Sequence, residues 1–162
     1  MKVPQRGEWI QIGVIGASRC STEIAELAVA VGREIGRRDA VLICGGLGGV
    51  MEFASKGAKE VGGLTIGILP GTSKEEANDY IDIPIVTGLG HARNVVIAHS
   101  SDSIIAISGE HGTLSEIAIG LKLNKTVIGL KTWDIEGVTQ VKTAAEAVEK
   151  AIRNIEGGMF ED

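Results

Sequence analysis

The chain has 162 residues, 44% of them hydrophobic and 23% charged, and its formal net charge is -5. This length suits one domain whose core needs neither disulfides nor metal, so we expect a single domain over residues 1–162. The negative charge and the lack of a Lys/Arg cluster argue against nucleic acid or an anionic membrane as a partner.

Six short, apolar runs rich in β-branched residues predict strands that are buried on both faces. They are residues 9–15, 41–44, 64–69, 83–86, 103–107 and 126–130. Helical patterns lie between most of them, at 22–35 and 114–121, and a last helix over about 143–155 begins with a capping box at Thr143 and Glu146. This alternation predicts an α/β fold: a three-layer, doubly wound parallel sheet, Rossmann-like, with six or seven strands in the order 3-2-1-4-5-6.

Glycines are concentrated just after the predicted strands. The chain has 23 of them, above the average rate of about 7%. Five strands are followed by such residues: Gly16; Gly45, Gly46, Gly48 and Gly49; Gly71; Gly88 and Gly90; Gly109 and Gly112. Ligands bind at this edge of an open sheet, where glycine admits the ligand and helix N-termini favour anions. One loop alone is explained by a tight turn, but five together predict a phosphate site.

Two common nucleotide-binding motifs are absent. The first loop, GVIGAS (13–18), is not GxGxxG, and the second strand ends in Cys44-Gly45-Gly46 where an NAD-binding fold places Asp or Glu. The chain also lacks GxxxxGK[ST], the phosphate loop of many ATPases. The sequence therefore argues against NAD binding and P-loop chemistry.

No apolar run is long enough for a signal peptide or a membrane span, which predicts a cytoplasmic protein with no membrane partner. Cys20 and Cys44 lack metal or disulfide spacing, and ordinary packing explains both. The three histidines fit no metal pattern, so we expect no metal ligands. His111 could reach a ligand from its loop, although loop histidines are more often simply solvated.

Three segments resemble the LOG-type proteins, often mislabelled lysine decarboxylases, of the DNA-processing-protein-A-related (SLOG) Rossmann superfamily. They are GGLGGVMEFASKGA (45–58), GHARNVVIAHSSD (90–102) and SGEHGTLSE (108–116). Residues 62–94 resemble the molybdenum cofactor carrier branch more closely. The resemblance covers roughly residues 10–130, and its signature is an Arg before the fifth strand and a PGGxGTxxE-like loop after it.

This resemblance implies specific site residues. The catalytic arginine falls on Arg93 and the catalytic glutamate on Glu116, and the phosphate-binding loop falls on Gly109, Gly112 and Thr113. Together with the glycine pattern, it leads us to expect cofactor-binding residues at Gly16, Ala17, Ser18, Arg19, Gly45, Gly46, Gly48, Gly49, Asn94, Gly109, Gly112 and Thr113.

The chain departs from the LOG motif at three positions. Ser108 replaces its proline, Glu110 its second glycine and Asn94 the usual lysine. Glu110 brings a negative charge and a side chain into the phosphate loop, while Asn94 removes a cation. Arg19 and Arg93 remain as the nearest phosphate partners, and both changes favour the carrier branch over the LOG enzymes.

Arg93 and Glu116 also have structural explanations. Thr113-x-x-Glu116 is itself a capping box, in which the glutamate bonds to a helix N-terminus, so the sequence leaves capping and catalysis open. Arg93 lies in the first turn of a helix, where a cation opposes the helix dipole by about 0.3–1 kcal/mol. A ligand phosphate, Glu116 or solvent screening would offset this cost.

Three functions follow from these observations. The first is a binding protein for a small phosphorylated ligand, either a nucleotide or a pterin-type cofactor such as the molybdenum cofactor (molybdopterin). The second is a LOG-type phosphoribohydrolase that cleaves the N-glycosidic bond of a nucleoside 5'-monophosphate. The third, a DNA-processing or signalling module, rests on distant kinship and is opposed by the acidic charge. Extra apolar residues on two helices, Ile97, Ile119 and Leu123, predict a homodimer or homotetramer.

Overall fold

The structure is a computed structural model, and it describes residues 9–158. The strands are β1 (Gln11–Gly16), β2 (Val41–Cys44), β3 (Thr65–Leu69), β4 (Ile83–Val86), β5 (Ser103–Ile107), β6 (Thr126–Leu130) and β7 (Val138–Val141). The helices are α1 (Thr22–Arg37), α2 (Val50–Glu60), α3 (Arg93–Ser100), α4 (His111–Lys122) and α5 (Ala144–Gly158), with short 3-10 turns at Lys74–Glu76 and Gly90–Ala92. Within the described range, no helix is both long and apolar enough to cross a membrane.

The seven strands form one all-parallel sheet in the order β4-β3-β2-β1-β5-β6-β7. Helices α1, α2 and α5 pack on one face and α3 and α4 on the other, each face with its own apolar core. Successive side chains on β5 enter opposite cores: Ile105 contributes to the first, and Ile104 and Ala106 to the second. The predicted three-layer, doubly wound Rossmann-like fold is therefore confirmed.

One strand lies outside the expected arrangement. β4 pairs with β3 at the edge of the sheet, and β5 takes the place beside β1. The connection between β3 and β4 contains one short 3-10 turn and no α-helix. Because nothing in it carries the chain across the sheet, β4 stays next to β3. When β4 is left out and the other six strands are renumbered in chain order, their order in the sheet is the predicted 3-2-1-4-5-6.

The apolar residues that predicted self-association lie elsewhere than expected. Ile97 is buried, and Ile119 and Leu123 pack against the second core. The large exposed apolar side chains belong instead to the β4 edge and the segment that follows it: Ile83, Ile85, Val86, Leu89 and Val95. Trp133 is also exposed. The homodimer or homotetramer stays a prediction. The exposed apolar side chains that would support it are those at the β4 edge.

The last helix begins much as its sequence indicates. The Thr143 hydroxyl accepts a hydrogen bond from the Glu146 amide at 3.2 Å. The Glu146 carboxylate accepts one from the amide of Lys142 at 3.4 Å, one residue earlier than in a standard capping box. Local hydrogen bonding therefore sets the start of α5.

Two glycines let α1 and α2 approach each other at backbone distance. A β-carbon at residue 57 would lie 2.0 Å from the Val29 carbonyl oxygen, and one at residue 32 would lie 1.9 Å from that of Ala54. Any side chain at either position would press on the facing backbone. This close packing holds the beginnings of both helices beside the carboxyl ends of β1 and β2.

We expect Gly57→Ala to lower the free energy of unfolding by about 1–3 kcal/mol, because the added methyl group overpacks this contact. Helix propensity alone predicts the opposite sign, since alanine favours a helix over glycine by about 1 kcal/mol. Urea unfolding measures the change, with Glu26→Ala on the exposed side of α1 as the control. A variant at least as stable as the wild type would contradict the packing argument.

Candidate functional site

A cavity of about 330 Å³ lies at the carboxyl edge of the sheet, where the loops after β1 and β2 meet the beginnings of α3 and α4. Its volume falls in the range of about 300–1,000 Å³ that is usual for small-molecule sites. Nine predicted site residues line it: Gly16, Ala17, Ser18, Gly45, Arg93, Asn94, Gly112, Thr113 and Glu116.

The other five predicted residues lie close by but not in this cavity. Arg19 and Gly109 line a neighbouring cavity of about 290 Å³, which shares Ala17 and Glu110 with the first. The glycines of the second loop, Gly46, Gly48 and Gly49, line neither cavity. Gly46 packs against β3, and Gly48 and Gly49 contact the loop after β1. At Gly49, where φ is +65°, a β-carbon would lie 2.3 Å from the Ala17 carbonyl oxygen.

Arg93, the first residue of α3, is buried beneath the loop after β2, with 8% of its surface exposed. Its Nη2 donates to the Gly45 carbonyl at 3.4 Å, and its Nη1 donates to the Asn94 side-chain oxygen. The Nε–H has no partner among the described residues. Burial lowers the pKa of Arg93, while the nearby Glu116 raises it. Solvent screening therefore does not explain this arginine.

Glu116 lies on α4, which begins three residues earlier than a Thr113 cap requires. The N-cap is Glu110, so the capping-box interpretation of Thr113 and Glu116 is wrong. Both residues are instead inside the helix, one turn apart and buried, with Glu116 8% exposed. Burial raises the pKa of Glu116 from its ordinary 4.5 to about 7, against the opposing effect of Arg93. Near neutral pH, this carboxyl group is therefore partly protonated.

The start of α4 offers hydrogen-bond donors at the cavity. The first helical bond runs from the Leu114 amide to the Glu110 carbonyl at 3.0 Å, so the amides of residues 111–113 precede it. A β-carbon at Gly112 would meet no atom within 4 Å, which leaves open space beside this backbone. The Glu110 side chain makes no capping bond. Helix amides in this position favour an anionic group.

Several cavity residues were not among the predicted binding residues: Val14, Ile15, Leu47, Met51, His91 and Glu110. Leu47 and His91 belong to glycine-rich loops, so their position next to Gly46 and Gly90 was an available signal. The buried side chains of β1 and α2 carried no such signal, because apolar residues there also fit a core. His111 does not line the cavity, and the described residues hold no cluster of potential metal ligands.

The parallel sheet, with a buried arginine and a carboxylic acid in one cavity at its carboxyl edge, defines a Rossmann-like α/β protein. The chain belongs to the SLOG cluster4 family, whose model matches residues 9–156. This assignment agrees with the resemblance found in the three glycine-rich segments.

Solved structures and curated sequences point to two kinds of relative. The molybdenum cofactor binding protein of Rippkaea orientalis is 38% identical with a TM-score of 0.86, over 93% of this chain and 99% of that one. The molybdenum cofactor carrier protein of Chlamydomonas reinhardtii is 37% identical with a TM-score of 0.81, over 91% and 99%. A cytokinin riboside 5'-monophosphate phosphoribohydrolase of Mycobacterium tuberculosis is 33% identical over 120 residues, 72% of this chain and 64% of the relative.

The raised pKa of Glu116 predicts that this residue weakens the fold as pH rises. Between pH 4.5 and about 7, the folded protein keeps a proton on Glu116 that the unfolded chain releases, so the free energy of unfolding falls. Glu116→Gln is neutral throughout. Relative to this variant, we expect the wild type to lose about 3 kcal/mol over that window. Urea unfolding across the window measures this, and a constant difference would contradict it.

Proposed function

We propose that the protein binds a small phosphorylated ligand, with the molybdenum cofactor as cargo, and acts as a carrier. The observation that carries this proposal is the buried Arg93 in the cavity lining, with an Nε–H that has no partner among the described residues. An unpaired buried donor is costly, and an anionic group in the cavity would satisfy it.

The cavity suits the two halves of such a ligand. Arg93 and the amides at the start of α4 supply donors for a phosphate. Apolar side chains of Leu47 and Met51 line the same space and suit the faces of a flat ring system. The charge and the apolar surface together favour a phosphorylated heterocycle over a free inorganic anion.

The relatives support the carrier function over the alternative. The two solved molybdenum cofactor proteins match along 99% of their own chains, whereas the phosphoribohydrolase matches along 64% of its length. Glu110 adds a carboxylate to the cavity lining, which disfavours the LOG mode of phosphate binding.

The second candidate function is hydrolysis of a nucleoside 5'-monophosphate. It is favoured by Glu116, a buried carboxyl group that shares the cavity with a fixed cation. In this function, Arg93 orients the phosphate side of the ligand. Glu116 in its ionised form stabilises the positive charge that develops on the sugar, or activates water.

We expect Arg93→Met to weaken ligand binding by about 10- to 100-fold, because hydrogen bonds to charged groups contribute about 1.5–3 kcal/mol. Two measurements apply: calorimetry with AMP, and anoxic gel filtration with molybdenum cofactor followed by molybdenum analysis of the protein peak. Arg153→Met, at an exposed position on α5, is the matched control. Unchanged affinity in Arg93→Met would exclude this cavity, and a wild type that binds neither ligand would refute the proposed function.

Incubation with AMP separates the two functions. The carrier is expected to bind AMP or the molybdenum cofactor without releasing adenine. The hydrolase is expected to release adenine, and Glu116→Gln should then slow release by about 10²–10⁴-fold in a folded protein, because an amide cannot act as a base. Chromatography of free adenine provides the measurement. A folded Glu116→Gln protein with full activity would exclude the catalytic role.

A further inference from the structure

The Glu116 carboxyl group is buried in the cavity without a bonding partner. Only 8% of the residue is exposed, yet its side chain makes no hydrogen bond or ion pair with any described residue. Arg93, the cation on the same cavity wall, donates instead to Gly45 and Asn94. Charge attraction links Arg93 and Glu116, but space for a ligand remains between the two segments that carry them.

Few charged groups surround Glu116. Arg93 on α3 is the cation, and His91 before α3 and Glu110 at the start of α4 line the same cavity. Cys44 at the end of β2 interacts with Glu116 through charge and is fully buried. The other strands that α4 packs against, β1, β5 and β6, carry no titratable side chain. Among α3 and α4 residues, His99 and His111 are exposed and outside the cavity lining.

An anionic ligand changes the balance at Glu116. Before a ligand binds, Arg93 is the cation, among the residues that the structure describes, that favours the ionised carboxylate. A phosphate that binds Arg93 neutralises this cation and places its own negative charge beside the carboxylate. Two anions in a desolvated cavity repel each other strongly, whereas a protonated carboxyl group can donate a hydrogen bond to a phosphate oxygen.

We propose that Glu116 binds the ligand as a neutral carboxylic acid, donating a hydrogen bond to its anionic group, so that one proton enters the site with the ligand. The proton comes from the solvent and bonds to a carboxylate oxygen of Glu116. This inference rests on the proposed function, because it requires a phosphorylated ligand in this cavity. It makes Glu116 a ligand-binding residue in the carrier and opposes its use as an ionised catalytic group.

The proton requirement gives affinity a defined pH dependence. Above the pKa of about 7, the free protein must take up a proton to bind, so affinity falls by up to about tenfold for each pH unit. Below that pKa the proton is already present, and this contribution disappears. AMP is a suitable probe near pH 8, since a phosphate monoester with a second pKa of about 6 is fully ionised there.

The test counts protons during AMP binding to the full-length protein. Calorimetric titrations near pH 8 in Tris and in HEPES, which differ in ionisation enthalpy, should show uptake of about one proton per AMP by the wild type. Glu116→Gln should bind AMP through its amide donor with no uptake and with an affinity that does not change between about pH 7 and 8.5. The control is Glu136→Gln, which removes an exposed carboxylate that lines neither cavity. This variant should behave like the wild type.

The outcomes distinguish this inference from the proposed function. AMP binding without proton uptake, or uptake that persists in Glu116→Gln, overturns the inference and leaves the binding function intact. A wild type that binds no AMP at any pH removes the phosphate-binding premise, and the inference fails with it. If Glu116→Gln does not fold, the pH dependence of wild-type affinity decides alone: a flat profile above about pH 7 overturns the inference.

Discussion

The guanidinium group of Arg93 occupies the space that a side chain at residue 45 would fill. A β-carbon at residue 45 would lie 2.6 Å from Nη2, so only glycine lets the loop after β2 close over the buried arginine. The same loop contacts the loop after β1 through Gly49, and α3 supplies the arginine from the opposite face. The cavity therefore depends on a backbone approach that links both helical layers at one edge of the sheet.

Burial gives this cation its chemical importance. An exposed arginine would be screened by water and counterions, whereas Arg93 keeps its charge among a few fixed dipoles and one acid. Glu116 responds to the same environment in the opposite direction, with a raised pKa. Arg93 and Glu116 attract each other, but the Arg93 Nε–H still has no hydrogen-bond partner among the described residues. An anionic ligand could accept a hydrogen bond from it.

The carrier and hydrolase functions differ in what they require of the acid. Hydrolysis uses an ionised Glu116 beside the sugar, while binding alone is compatible with the neutral form that burial favours. Glu110 adds a second carboxylate to the cavity lining, so a further fixed negative charge would repel a dianionic phosphate. Proton uptake by Glu116, as proposed above, is one means by which the site accommodates an anion despite this charge.

Local sequence patterns determined six of the seven strands, the long helices, the α5 cap and the presence of glycine loops at one edge, because these depend on neighbouring residues and buried periodicity. The short, half-exposed strand β7 was not among the predicted apolar runs. The edge position of β4 depended on which connection could cross the sheet. The pairing of Arg93 with Gly45, the start of α4 at His111 and the loop contacts of Gly46, Gly48 and Gly49 were decided only in the tertiary structure. The contacts of Arg93 and of these glycines join segments distant in sequence, and the burial and pKa values of Arg93 and Glu116 arise only after those segments pack together.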